Sequence, residues 1–425
     1  MKRKFAILLS AMLLTQAVCG CGCGGAAPSA TSSASASTDS TASKSSEKAV
    51  IVTDEQDFTH ENGITRLAKE IYGDLNVEFF VLSEDAQERE TQISSLRVEI
   101  MAGGGPDGYL LSSPTSNMTF NGEGHPATLF PDVQRTMQAG AFLPLDDYIK
   151  ESEYLRSEDH FAPVFDTGKT DEGQVVLPIT YYASVFLLDK AQLADPDFTP
   201  KTWDELVNCE DTAVLKVVRN NLYTWCGAGI PRIADYATEK TILTEENLTA
   251  QFENLLAMPA SESFDEETAL IQSGSYAQTD EGMAYYAQNK DTVNALAIPN
   301  TEGGVTAFIT SYAAINRNSP KADEVFRFFE LLFSDEAQID TETVNDARGT
   351  LLMLGNQNSF LTHKNAYLQP ELLESVQSRV NAVRFYSVMD YTIYDTATTL
   401  TWEENPDCAA AAHSVIEALQ TRLSE

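Results

Sequence analysis

Apolar and polar positions follow two rhythms along the chain. Lys48 to Asp54 (KAVIVTD) is a run of branched apolar residues of strand length. Ile64 to Gly73 (ITRLAKEIYG) repeats its apolar residues at helical spacing and ends on glycine, and Asn76 to Leu82 (NVEFFVL) reads as a strand again. From Thr91 a helical stripe places Ile93, Leu96, Ile100 and Met101 together, and Tyr109 to Leu111 reads as a short buried strand. Strands alternating with helices predict an α/β fold with a mostly parallel sheet covered on both faces. Ligands of such sheets collect at the carboxyl ends of strands, so the loops 53–59, 83–85 and 112–117 draw attention.

One stretch tests that reading. Met101 to Leu111 (MAGGGPDGYLL) contains Gly103, Gly105 and Gly108 in the G-x-G-x-x-G spacing that cradles a dinucleotide pyrophosphate. That use requires strand, glycines, helix, because the phosphates sit on the helix N-terminus. Here the order is helix, glycines, strand. Gly103 reads as a left-handed helix exit and Pro106 prevents the helix from resuming.

Later segments obey the same grammar. Pro200 to Leu206 (PKTWDEL) offers Thr202 as an N-cap with Asp204 and Glu205 in the first turn. Pro320 to Phe333 places Val325, Phe328, Phe329 and Leu332 on one helical face. Val175 to Ile179 and Ser184 to Leu188 read as buried strands, with TYYA as a polar-aromatic break between them.

The first 47 residues stand apart. Met1 to Lys4 is basic, Phe5 to Val18 is mostly apolar but short for a bilayer span, and AVCGCGCGG follows. This resembles a bacterial lipoprotein signal over residues 1–20, with Cys21 the preferred lipidation site and Cys19 and Cys23 poorer fits; a plain secretion signal is the alternative. Residues 21–47 are rich in Ser, Ala and Thr with little to bury, which predicts a disordered tether with a reach of about 30 Å.

Formal charge is −35, and loss of Lys2, Arg3 and Lys4 with the leader makes the mature form more acidic still. Such a surface repels nucleic acid and anionic lipid at long range. Beyond the leader Cys209, Cys226 and Cys408 give neither a disulfide framework nor a zinc pattern, although a Cys209–Cys226 bridge stays open. The five histidines are scattered, and G-x-S-x-G, H-E-x-x-H and later C-x-x-C motifs are missing. No metal, cofactor or catalysis is expected. Paired carboxylates for glycoside hydrolysis are the enzymatic alternative.

Five segments in order carry a family resemblance: LRVEIMAGGGPDGYLL (96–111), GAFLPLDDYI (140–149), LPITYYASVFLLDKAQL (177–193), PKTWDEL (200–206) and ITSYAAINRNSPKADEVFRFFELLFSDEAQ (309–338). Together they resemble the extracellular solute-binding proteins of bacterial ABC importers, family 1, the group that includes maltose-binding protein. The resemblance implies a two-lobe, periplasmic-binding-protein-like (type II) fold with a hinge and an inter-lobe cleft. The lobes would take 48–180 plus 299–344, and 183–298 plus 349–425. It implies capture of a small polar solute, with a sugar or oligosaccharide leading, by a monomer on the outer membrane face that delivers it to a permease. Presentation of the ligand to a membrane sensor is the alternative use of this fold.

Sugar recognition calls for aromatic faces and matched donors and acceptors. The resemblance points to Tyr182 in the crossover, with Tyr181 beside it, each of which reads equally as core. Lys216 to Trp225 resembles a strand and ligand loop, offering Asn220, Asn221, Tyr223 and Trp225. Tyr285 or Tyr286 stands where relatives carry a stacking tryptophan. Tyr386, Tyr391 and Tyr394 fall in a predicted helix, and of these Tyr386 is retained. Asp54, Asp57, Ser112 and Ser113 lie at strand ends, and Arg348 marks a later crossing, where a surface ion pair is expected and contact with an anionic group is the alternative. Two departures from the family pattern are an aromatic-free first strand and a long insertion between Leu111 and Phe142.

Overall fold

The computed structural model describes residues 48–113, 127–220, 227–259, 280–339, 345–355 and 359–424. The leader with Cys21 and the tether lie outside them, as do residues 114–126 of the insertion and Asn221, Tyr223, Trp225 and Cys226.

The chain opens as its periodicity predicts, with β1 (Ala49–Thr53), α1 (Gly63–Tyr72), β2 (Val77–Val81), α2 (Ala86–Met101) and β3 (Gly108–Ser112). Asn62 and Thr65 form a reciprocal cap at the start of α1, each side chain accepting the other's backbone N–H at 2.9 Å. After α2, Gly103 (φ +82°) and Gly105 (φ +92°) take left-handed conformations that suit glycine. Gly108 is a packing glycine, since a Cβ there would lie 2.6 Å from Val325 Cγ1. Helix exit and close packing account for all three glycines.

There follow α3 (Val133–Gln138), β4 (Leu177–Ala183), β5 (Val185–Asp189), α4 (Trp203–Val207), α5 (Thr212–Asn220), α6 (Glu245–Ala257), α7 (Asp280–Asn289), β6 (Val293–Ala297) and β7 (Val305–Ile315). The last elements are α8 (Ala322–Leu331), α9 (Asn345–Gly355), β8 (Phe360–Leu361), α10 (Pro370–Gln377), β9 (Val380–Phe385), α11 (Val388–Leu400) and α12 (Cys408–Ser424). Thr202 caps α4 as expected, accepting from Glu205 N at 3.2 Å. Val325, Phe328, Phe329 and Leu332 are all buried.

Seven strands form one sheet in the order β8-β4-β7-β3-β1-β2, with β9 also on β7. The expected mostly parallel sheet is in fact mixed. β1 runs parallel to β2 and β3, but β7 is antiparallel to both β3 and β4, and β8 to β4. The cause is β7, eleven buried residues long. One of its edges is shared by β9, parallel along Val305–Ile309, and β3 along Ser311–Ile315, while β4 takes the other. TYYA is not a break: Thr180 to Ala183 complete β4, where the β7 ladder supplies the backbone partners. Lys216 to Asn220 is the end of α5, not a strand, because Val214, Val217 and Val218 bury a helical stripe.

Two cores result, and a two-stranded ribbon lies between them. β5 and β6 pair antiparallel. Val185, Leu187, Val293 and Ala297 belong to the larger core, whereas Phe186, Leu188 and Leu296 belong to the smaller one. Alternate residues of a strand face opposite ways, so each core owns one face of the ribbon. The larger core also takes Leu351 to Phe385, and the smaller takes Met389 to Leu423.

Candidate functional site

Tyr182, Phe308 and Tyr386 belong to neither core and form a third cluster. β4 sets Tyr182 opposite Phe308 on β7, and the rings stack with centroids 5.1 Å apart and an interplanar angle of 21°. Tyr386 follows the end of β9 and lies 5.7 Å from Phe308. From the smaller core's side, Gly227 comes so close that a Cβ would lie 3.2 Å from Phe308 Cζ and 3.6 Å from the Tyr182 hydroxyl.

Polar groups surround this cluster. The Arg384 guanidinium sits 4.6 Å over the Phe308 ring, donates through Nη2 to Ile230 O at 3.2 Å, and pairs through Nη1 with Asp390 Oδ1 at 2.5 Å. Both partners of the pair are buried, with side chains 7 % and 2 % exposed. Asp390 Oδ2 also accepts from the Ser387 backbone at 2.9 Å, the capping box that starts α11. Asp132 caps α3 by accepting from Arg135 N at 3.0 Å. Burial pushes its carboxyl up, and the nearby Asp390 charge adds to the shift. Tyr236 faces Asp132, and its phenol is pushed well up by burial and then by the carboxylates of Asp132 and Asp390. A cavity of ≈ 310 Å³ lies beside these groups, lined among others by Gln134, Arg232, Tyr236, Asn381 and Arg384. Amides, a phenol and a guanidinium paired with Asp390 suit a polar, uncharged molecule, and Arg384, which lies over Phe308, links this cavity to the aromatic cluster.

The residues singled out by sequence are placed as follows. Tyr182 and Tyr386 meet in the aromatic cluster; Tyr386 is fully buried and precedes α11 rather than lying within it. Tyr181 points the other way, with Phe161 and Phe360 as neighbours, and its hydroxyl accepts from Gln377 Nε2 at 2.6 Å. Asp54 accepts from Ser112 N at 3.1 Å and stands 3.7 Å from Arg89 in a buried ion pair. Ser112 Oγ lies 2.7 Å from Leu354 O, and Ser113 Oγ donates to Ile309 O at 2.5 Å. Asp57 is half-buried in the turn Gln56–Thr59. Asn220 is exposed at the end of α5. On α7, Tyr285 is 43 % exposed and Tyr286 is half-buried against the larger core.

Arg348 is not at the surface, the expected place for its ion pair. It is buried, donates to Ala366 O at 2.6 Å and lies 5.5 Å from the Tyr367 ring centroid. Sequence reasoning passed over Phe308, Arg384, Asp390, Asp132 and Tyr236. A signal existed for two of them: Ser387-x-x-Asp390 is a capping-box spacing, and Asp132 immediately precedes Val133 and Met137, apolar residues at helical spacing. Among the described residues no group of three His, Cys, Asp or Glu is placed to hold a metal ion.

Comparison with known proteins bears on the whole arrangement. The sequence pattern of the family described as bacterial extracellular solute-binding protein matches residues 57–339. No curated protein matches the chain in sequence. Among solved structures, the chain is similar to the sugar-binding protein MalE from Xanthomonas citri, with TM-score 0.58 and 11% identity over 89% of this chain and 97% of that one. It is also similar to an ABC substrate-binding protein from Listeria monocytogenes in complex with cycloalternan, with TM-score 0.53 and 12% identity over 89% and 99%. A third similar structure is the GacH receptor of Streptomyces glaucescens, with TM-score 0.52 and 11% identity over 89% and 100%. At these identities the likeness establishes the two-lobe fold. The family match covers more than half of the sequence, and the chain therefore belongs to the bacterial extracellular solute-binding proteins, family 1.

Proposed function

We propose that this protein is the lipid-anchored receptor of an ABC importer, capturing a sugar or oligosaccharide between two lobes and handing it unaltered to a membrane permease. The anchor would be Cys21, with residues 21–47 as the tether and residues 1–20 as the leader. The family and fold are those of binding proteins rather than enzymes. Among the described residues no helix is long and apolar enough to cross a membrane.

The observation that carries the reading is the polar cavity lined from both sides by Gln134, Tyr236, Asn381 and Arg384, which Arg384 joins to the aromatic cluster of Tyr182, Phe308 and Tyr386. Two of the similar proteins bear sugar-related names: MalE is called sugar-binding, and the Listeria protein is described with cycloalternan. We place the boundary between lobes along the β5–β6 ribbon, whose residues alternate between the two cores, and at Tyr386–Ser387, where the larger core ends at Phe385 and the smaller resumes at Met389, rather than near residues 344–349. Solute touching both lobes would favour the closed arrangement by its differential affinity. The closed form would then dock on the permease. A thermal-shift screen of the mature chain against monosaccharides, oligosaccharides, amino acids and polyamines tests this. Stabilisation by a saccharide supports the reading, and stabilisation only by an amino acid or polyamine overturns the sugar assignment.

A further inference from the structure

The described part of the insertion, residues 127–138, has two sides with different allegiances. Its inner side is fastened to the larger core. Arg89 Nε donates to Ala127 O at 2.7 Å, Arg97 Nη2 to Thr128 O at 2.6 Å, and Arg97 Nε to Leu129 O at 3.0 Å. Leu129, Phe130, Val133 and Met137 are buried there, and Phe130 packs edge-on against Tyr109 and Phe142 at 4.9 and 5.2 Å. Its outer side reaches elements of the smaller core. Pro131 O accepts from Val388 N at 3.2 Å at the start of α11. Arg135 Nη1 donates to Arg422 O near the end of α12. Asp132 faces Tyr236, and Gln134 joins Tyr236 and Arg384 in lining the cavity.

A backbone acceptor, a guanidinium donor, a capping carboxylate and an amide thus converge on the smaller core from one short piece of chain. Apart from Asp132, which also caps α3, these groups face the smaller core, and it is apolar burial and two arginines that fix that piece on the larger core. We propose that residues 127–138 form a clasp: Asp132, Gln134 and Arg135 are positioning residues that hold the two halves together over the solute cavity and so govern how readily it opens. This rests on the reading that solute is held between lobes. When the clasp is released, the wall contributed by Gln134 withdraws from Tyr236 and Arg384, and the cavity loses one side.

The test needs no solute, so it can fail independently of that reading. Hydrogen exchange of the ligand-free mature chain is followed at Val388 and at the amides within residues 230–236 (Pro231 has none), with the amides of β7 as a reference for global stability. In Arg135→Ala the amides of Val388 and 230–236 exchange about 10-fold faster while those of β7 are unchanged. Arg135→Lys, which keeps a donor for Arg422 O, restores protection. Tyr236→Phe, which removes the hydroxyl facing Asp132, speeds exchange at 230–236 in the same way. Unchanged exchange at Val388 and 230–236 in both Arg135→Ala and Tyr236→Phe overturns the clasp. Equal acceleration in β7 overturns it too, because the residues would then act on the whole fold.

Discussion

Tyr181 and Tyr182 are adjacent on β4 yet face opposite sides of the strand, and this parity separates a residue of the larger core from one of the aromatic cluster that we propose to contact solute. Tyr182→Ala should weaken solute affinity by about 10–100-fold, about 1–3 kcal/mol, in calorimetric titration. Tyr181→Phe should leave affinity alone and cost about 1 kcal/mol in urea unfolding, because Gln377 Nε2 loses its acceptor. The Arg384–Asp390 pair makes a larger claim on stability. Arg384→Met should cost about 3–5 kcal/mol, since it leaves Asp390 buried without its counter-charge. The double variant with Asp390→Asn should recover part of that loss in the same urea measurement. His160 governs the acid side. Burial lowers its pKa from 6.5 to about 4, outweighing the hydrogen bond to Tyr154 O. Tyr154, Asp159, His363 and Lys364 are the titratable groups around it, and His363 is itself lowered by burial. The folded state therefore binds this proton less well than the unfolded one. Stability from His160 is fully present above pH 6.5 and is lost as pH falls through 4, by up to about 3 kcal/mol. In urea unfolding, His160→Gln should flatten the profile between these limits.

Among the elements, α1 was legible because its apolar stripe runs from the Asn62 cap to Gly73, and β1, β2 and β3 because each is a short apolar or alternating run of strand length. The glycine run was legible as the end of a helical stripe, and it supplies a test. Gly108→Ala should destabilise by about 1–3 kcal/mol, because the new Cβ meets Val325 Cγ1 at 2.6 Å and Phe329 Cζ at 3.2 Å. Gly104→Ala in the same turn, whose nearest neighbour is 3.7 Å away, should be tolerated. Mixed pairing in the sheet was not legible. β7 is buried along all eleven residues, so its sequence has no alternation to show which neighbours it takes or in what direction. The second half of the site was hidden for a related reason. Arg384 and Asp132 lie more than 250 residues apart, and only β9 and α3 folding onto the same cavity bring them together. Lys216 to Asn220 misled because Val217 and Val218 fit either period until the burial of Val214 completes a helical stripe.

For the whole molecule, two cores share one ribbon, and one aromatic cluster belongs to neither of them. β5 and β6 give one face to each core, which ties the halves together at a thin seam. Such a seam suits hinge motion, in which a few residues between rigid bodies absorb the change. Acidic charge fits the proposed capture of an uncharged solute, since the long-range field neither gathers nor repels it. The most direct test of the central claim is a calorimetric titration of the mature chain with saccharides that stabilise it, followed by chemical analysis of the recovered solute. The account predicts uptake of one equivalent per chain, release of the same saccharide intact, and marked weakening in Tyr182→Ala. Full affinity in Tyr182→Ala, or a recovered saccharide that has been cleaved or modified, would contradict it.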